Sequence, residues 1–137
     1  MRLSIKKTMK RAAVAGITMM VAAVLSGCES SEKVIERLLL EVDKGDSSAM
    51  LSIAELYCGG QNIEQDDLTC GIWLKMASEH GQARAQYMLG VMYEKGIGMR
   101  ADPVEAYRWY SLSAGQGIAM AVEALRNLEG ALLPVQI

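Results

Sequence analysis

The chain has 137 residues, and its 14 Lys and Arg residues are nearly balanced by 16 Asp and Glu residues, for a formal net charge of −2. This length predicts one small domain, and the sequence contains no interdomain linker and no low-complexity segment. The charge balance lacks the basic excess that nucleic-acid binding requires.

Residues 1–27 are predicted to be a targeting segment. Five basic residues and no acidic residue accompany an uncharged run of 14 residues, Ala12 to Leu25. This run suits a signal-peptide core and is short for a membrane-spanning helix. The segment ends in LSGC, residues 25–28, which resembles the lipobox of bacterial lipoproteins. The resemblance implies cleavage before Cys28 and lipid on that cysteine. The alternatives are an ordinary cleaved signal peptide or a membrane anchor with a chance cysteine.

Cleavage would make the remaining chain, residues 28–137, strongly acidic. It keeps nine basic and 16 acidic residues, a formal charge of −7. Such a surface argues against nucleic acid and favours a basic or amphipathic protein as partner. Glu29 follows Cys28 and, by resemblance to enterobacterial lipoproteins, a residue other than Asp there favours the outer membrane. We therefore expect anchoring in its inner leaflet, facing the periplasm.

Residues 32–44 form the first predicted helix of the domain. Ile35, Leu38, Leu39 and Val42 fall near one face of it. The segment matches no repeat position well, and we interpret it as a capping helix.

A period of 36 residues organises the next part of the chain. Residues 45–80 form repeat one and residues 81–116 form repeat two. Shifting the first by 36 brings identical residue types together at Gly45 and Gly81, Ala49 and Ala85, Tyr57 and Tyr93, Gly60 and Gly96, Asp66 and Asp102, and Trp73 and Trp109. Each repeat predicts a helix A, a tight loop and a helix B that begins after the aspartate. Stacked helix pairs give an all-α solenoid.

Residues 117–129 are predicted to be a partial third repeat that contains helix A alone. Its apolar face carries Ala121, Ala124, Leu125 and Leu128. Residues 130–137 are predicted to be an apolar tail, in which Pro134 disfavours a helix. The tail packs locally, folds over the open end of the solenoid or serves as a contact segment.

Repeat two resembles the Sel1-like repeat, a relative of the tetratricopeptide repeat. The matching residues are Gln86, Leu89, Gly90, Tyr93, Gly96, Gly98, Asp102, Ala106, Trp109 and Tyr110. Repeat one is a degenerate copy, with Ala54, Cys70 and Leu74 at the positions of Gly90, Ala106 and Tyr110. The resemblance covers about 85 residues, from Gly45 to Leu128. It implies a short α-solenoid that acts as a scaffold.

Two cysteines remain once Cys28 carries lipid. Cys58 and Cys70 flank the loop of repeat one, where helix A ends and helix B begins. In an oxidising compartment we expect a disulfide between them, worth about 3 kcal/mol in the loop-entropy account. The alternative is two free thiols that pack as small side chains.

The pattern of polar residues argues against an enzyme and against a metal or cofactor site. The one histidine, His80, lies in the turn between repeats, where it can bond the last carbonyls of helix B, and no nucleophile is spaced to join it. Asn62, Glu64, Asp66 and Asp67 lack the ligand order and the central glycine of a calcium loop, and a loop followed by an N-cap explains them better.

We expect the partner to bind along helix A, because helices A line the concave face of such solenoids. The outward positions are Met50, Leu51 and Glu55 in repeat one and Arg84, Gln86, Tyr87, Val91 and Glu94 in repeat two. Tyr87 beside Met50 and Leu51 would form an aromatic anchor with adaptable neighbours. The alternative is that Tyr87 and Leu51 pack between adjacent A helices.

Two functions are compatible with these features. The first is a lipid-anchored protein-interaction module. Its small size favours an immunity or inhibitor role, since envelope proteins of the resembled family include immunity lipoproteins that neutralise phospholipase effectors of type VI secretion. The second is a structural envelope protein, or a scaffold for polysaccharide secretion or peptidoglycan.

Replacing the predicted lipid-bearing residue tests the anchor. We expect Cys28→Ser to abolish incorporation of labelled palmitate and to block lipoprotein-type processing, because the thiol receives the first lipid. Undiminished labelling of this variant would contradict the lipobox interpretation.

Overall fold

A computed structural model describes residues 29–60 and 63–132 of the chain. The chain divides into two compact units, Met1–Val34 and Ile35–Ile137. The described part of the first unit is residues 29–34, and the fold below is that of the second. The predicted targeting segment, Cys28 and residues 133–137 lie outside the described residues.

Six α-helices and no strand make up the part of the chain that the structure describes. They are α1 (Ser31–Val42), α2 (Ser47–Gly59), α3 (Asp67–Glu79), α4 (Ala83–Lys95), α5 (Pro103–Gly115) and α6 (Ala119–Leu132). From α2 onward, each helix packs mainly on its neighbours in sequence. Helices α2 and α3 are helices A and B of repeat one, and α4 and α5 are those of repeat two. The predicted all-α stack of helix pairs is confirmed.

Aspartate side chains begin both B helices, as the sequence predicts. Asp66 accepts hydrogen bonds from the backbone N–H groups of Leu68 and Thr69, at 3.1 and 3.2 Å. Asp102 does the same at the start of α5, where Pro103 takes the first helical position. The Thr69 hydroxyl also donates to Asp66. This bond, followed by the backbone donors, holds the pKa of Asp66 below its usual value.

One turn geometry recurs wherever a B helix leads into an A helix. After α1, α3 and α5 the chain passes through Gly45, Gly81 and Gly117 at φ values of 83°, 83° and 91°. In each turn the glycine N–H bonds the carbonyl three residues back, and the next N–H bonds the carbonyl five residues back. Only glycine adopts such φ values without strain.

The recurrence of this turn places α1 in the repeat phase. Its range, 31–42, lies 36 residues before 67–78, which is α3 without its last residue. The helix is therefore in phase with α3, although its residues match the repeat pattern poorly. Few apolar residues of α1 match those of α3 and α5, so the sequence pattern did not show its register. The geometry of the turn at Gly45 fixes that register. The described helices follow the order B-A-B-A-B-A.

Two clusters of buried side chains form the core. The larger one joins the two repeats through Met50, Leu51, Ala54, Cys70, Leu74, Ala77, Ala85, Leu89, Met92 and Trp109. Val42 of α1 packs against it. The smaller cluster joins α5 to α6 through Ala106, Tyr110 and Leu128. The predicted inward faces of helices A and B supply most of these residues.

Helix α6 is longer than predicted. It continues to Leu132, so Gly130, Ala131 and Leu132 are helical and do not begin the tail. Ala121 and Leu128 are the buried residues of this helix, and the three added residues are exposed.

A close helix contact in repeat two depends on Gly90. A Cβ built on Gly90 would lie 2.6 Å from two ring carbons of Tyr110, Cδ1 and Cε1. The absent side chain therefore lets the tyrosine ring lie directly on α4. Repeat one has Ala54 and Leu74 at these positions, where the smaller aliphatic side chain tolerates the methyl group.

We expect Gly90→Ala to lower the free energy of unfolding by about 1–3 kcal/mol, because the methyl group forces Tyr110 away from α4. Thermal or urea unfolding measures the loss. Gly115→Ala is the matched control, since a Cβ there has no heavy atom within 4 Å. Equal free energies of unfolding for the two variants would show that the contact between Gly90 and the Tyr110 ring does not require glycine at position 90.

Candidate protein-binding surface

Three of the eight predicted outward residues are buried, and two of these, Met50 and Leu51, lie in the hydrophobic core. Met50 and Leu51 are 3% and 8% exposed and belong to the larger cluster. Their assignment as outward partner-binding residues is wrong. Side chains of α3 and α4, together with Val42, pack around these two residues, so the face that was predicted to be outward is covered.

Glu55 and Arg84 link the two A helices at the surface. Nη2 of Arg84 lies 3.0 Å from Oε1 of Glu55, and the two side chains are 68% and 39% exposed. Oε1 is itself shielded from solvent and has no donor in hydrogen-bonding geometry, so the contact is an ion pair without a hydrogen bond. An exposed pair of this kind adds at most about 1 kcal/mol to stability. Both groups remain accessible to a partner.

The side chains of Tyr87 and Val91 lie partly in the core and partly in contact with solvent. Both are half-buried and pack against the smaller cluster. The Tyr87 and Tyr110 rings lie with their centroids 5.8 Å apart. The alternative was that Tyr87 packs between adjacent A helices; its ring contact is instead with Tyr110, on helix B of the same repeat. With Glu55 and Arg84, Tyr87 and Val91 define what we call the A-helix surface.

Helices α4 and α5 of repeat two are tied by a hydrogen bond below this surface. The buried Tyr110 hydroxyl donates to Oε2 of Glu94 at 2.5 Å. Burial, followed by the bond to Glu94 and its charge, raises the pKa of Tyr110 well above its usual value. The phenol therefore stays protonated and keeps donating at any physiological pH.

A disulfide ties α2 to α3 in repeat one. Cys58 and Cys70 are bonded across the loop, with their Cα atoms 5.2 Å apart. Cys70 is fully buried and Cys58 is half-buried. The pairing is the one that the sequence predicts.

Glutamine side chains connect repeat one to repeat two. The Gln86 amide donates to the Ser78 carbonyl at 3.2 Å, and the Gln116 amide donates to Gln86 Oε1 at 2.8 Å. Gln86 is 4% exposed, so its outward assignment is also wrong. The end of α3 covers it, a contact that helix periodicity within α4 does not show.

His80 and the acidic loop have structural roles here. The Nδ1 atom of His80 lies 2.9 Å from the Met76 carbonyl in the last turn of α3, the contact predicted from its position. Among residues 29–60 and 63–132, no three His, Cys, Asp or Glu side chains form a group able to hold a metal ion. None of the helices described above is long and apolar enough to cross a membrane.

The comparison with known families agrees with this geometry. The Sel1 repeat family model matches residues 47–82 and 83–118, two adjacent copies. The chain belongs to the Sel1 repeat family. Sel1 repeat domains are typically non-catalytic modules that bind other proteins, and this chain is such an interaction module.

Known Sel1 relatives are similar to the chain over different lengths. The chitin synthase regulator SKT5 of Saccharomyces cerevisiae is 34% identical over 94 residues, which cover 67% of this chain and 14% of that protein. The chain therefore spans about a seventh of that relative's length. The crystal structure of a Sel1 repeat protein from Oxalobacter formigenes has a TM-score of 0.68 and 28% identity, covering 91% of this chain and 96% of that one.

A further solved structure shows the same fold. The protective antigen c5321 of uropathogenic Escherichia coli has a TM-score of 0.66 and 23% identity, covering 84% of this chain and 25% of that one. Helix pairs of this type are thus present in a bacterial protein much longer than this chain.

Core and surface residues of helix A should respond differently to truncation. We expect Leu51→Ala to lower the free energy of unfolding by about 2–5 kcal/mol, because it leaves a cavity. Arg84→Ala should cost less than about 1 kcal/mol. Urea unfolding followed by circular dichroism gives both values. A loss of less than about 1 kcal/mol for Leu51→Ala would contradict the assignment of Leu51 to the core.

Proposed function

We propose that this Sel1 repeat domain is held by lipid on Cys28 in the inner leaflet of a bacterial outer membrane. There it faces the periplasm and binds one protein through the A-helix surface. The basic start, the uncharged run and the LSGC motif of residues 1–28 support the anchor. The disulfide Cys58–Cys70 supports an oxidising compartment, since such bonds are rare in the cytosol.

The A-helix surface carries the binding proposal. It combines a half-buried aromatic side chain, Tyr87, with an accessible ion pair, Glu55–Arg84, on two adjacent helices. A rigid aromatic group beside a charged pair is typical of an interface anchor. The formal charge of −7 for residues 28–137 would speed encounter with a basic partner.

The partner that we propose is a secreted phospholipase effector of the type VI class, which the domain would neutralise as an immunity protein. Two observations support this choice over a large scaffold. The domain is short, with two full repeats. The proposed lipid would also hold it beside the phospholipids that such an effector attacks.

A second candidate is a scaffold or regulator of envelope polysaccharide assembly or of peptidoglycan. The name of the yeast relative, a chitin synthase regulator, favours it, because chitin is a polysaccharide. The two candidates predict different binding. An immunity protein inhibits a phospholipase in solution, whereas a scaffold binds a polysaccharide synthase or isolated peptidoglycan.

Charge reversal on the A-helix surface tests the binding site. We expect Arg84→Glu to weaken binding to the captured partner at least ten-fold, roughly 1.4 kcal/mol, because it replaces the pair with Glu55 by two repelling carboxylates and so changes the surface that the partner contacts. Binding is measured by surface plasmon resonance, after capture from envelope extract identifies the partner.

Lys75→Glu is the matched control, because it reverses an exposed lysine on α3, outside the A-helix surface. It should leave affinity within about two-fold and the melting temperature unchanged. Equal affinity of the Arg84→Glu and Lys75→Glu variants would move the binding site away from the A-helix surface. Inhibition of a phospholipase by the wild type then separates the two candidates.

A further inference from the structure

The two repeats differ where helix A meets helix B. Repeat two has Gly90, Glu94, Ala106 and Tyr110, and repeat one has Ala54, Cys58, Cys70 and Leu74 at the same positions. All four positions therefore change together, at the place where the two helices of a pair are tied.

Repeat two uses non-covalent contacts at this place. The Tyr110 ring lies on Gly90, and its hydroxyl bonds Glu94 at 2.5 Å. The hydroxyl satisfies its hydrogen-bonding requirement inside the protein, and the ring adds a large buried area. Neither contact depends on the redox state of the compartment.

Repeat one cannot make these contacts. Leu74 is fully buried but has no hydroxyl to donate, and Cys58 replaces the glutamate acceptor. The Cys58–Cys70 bond occupies the position of the missing tie and closes a separation of 12 residues. Without such a cross-link the unfolded chain has more conformations available. The equilibrium constant for separation of α2 from α3 therefore rises by roughly 100-fold.

We propose that the disulfide makes the pairing of α2 with α3 conditional on an oxidising environment, while α4 and α5 pair without it. On oxidation, the two thiols lose two protons and two electrons to a disulfide donor, which leaves as two thiols. A dithiol reductant reverses the exchange and itself becomes a disulfide.

This redox dependence regulates the A-helix surface, a consequence that rests on the proposed function. Glu55 lies on α2, and Arg84 lies on α4. When α2 separates from α3, the pair that joins the repeats is lost, so reduction raises the fraction of molecules in which the surface is disrupted.

Hydrogen exchange with mass spectrometry tests the proposal without any partner. The full-length protein, purified in detergent, is compared with and without dithiothreitol, and alkylation confirms reduction. We expect amides of α2 and α3 to exchange roughly 100-fold faster after reduction, and those of α4 and α5 to change less than about three-fold. Unchanged α2 and α3, or equal acceleration of all four helices, would overturn the proposal.

Two variants make the test independent of reductant access to the buried sulfur. Cys58→Ala/Cys70→Ala should reproduce the reduced pattern in the absence of reductant. The second variant transplants the contacts of repeat two into repeat one. It combines Ala54→Gly, Cys58→Glu, Cys70→Ala and Leu74→Tyr. It should restore slow exchange in α2 and α3 without a disulfide.

Cys58→Glu/Cys70→Ala alone is the control for the transplant and should remain unprotected. If the fourfold transplant is no better protected than this control, the two ties are not equivalent and the proposal fails. Because no partner enters these measurements, their failure leaves the proposed binding function to be judged by its own experiment.

Discussion

The turn between a B helix and the next A helix is the constraint on which the rest of the structure depends. Gly45, Gly81 and Gly117 hold one positive-φ conformation at intervals of 36 residues. Each turn fixes the direction in which the next helix leaves, so the helices stack with a constant phase. The burial of Ala85 and Ala121, at matching positions of α4 and α6, follows from this phase.

The same scaffold tolerates different chemistry inside each repeat. In repeat two, the absence of a side chain at Gly90 makes room for the Tyr110 ring, and Glu94 accepts a hydrogen bond from the Tyr110 hydroxyl. In repeat one, a disulfide from Cys70 replaces that arrangement. In a short solenoid, few interfaces between neighbouring repeats contribute to the free energy of unfolding. The contact or bond that joins the two helices of each pair therefore contributes a larger share.

The separation of core and surface along helix A decides what a partner can reach. Met50, Leu51 and Gln86 are used by the fold, since each contributes to packing within or between the repeats. Glu55 and Arg84 keep charge at the surface without a large role in stability. A partner can therefore engage these charges at little cost to the fold.

The sequence by itself determined the helices, their caps and the 36-residue period, because these depend on local spacing and on turn chemistry. It also favoured the Cys58–Cys70 pairing over two free thiols, since both cysteines flank one short loop, and the structure contains that bond. Only the tertiary structure decided the register of α1, the length of α6 and the burial of Met50 and Leu51. The burial of Met50 and Leu51 depends on contacts between helices, and the periodicity within one helix cannot show how many neighbours cover its outer face. The register of α1 follows from the geometry of the turn at Gly45, which few matching apolar residues of α1 indicated.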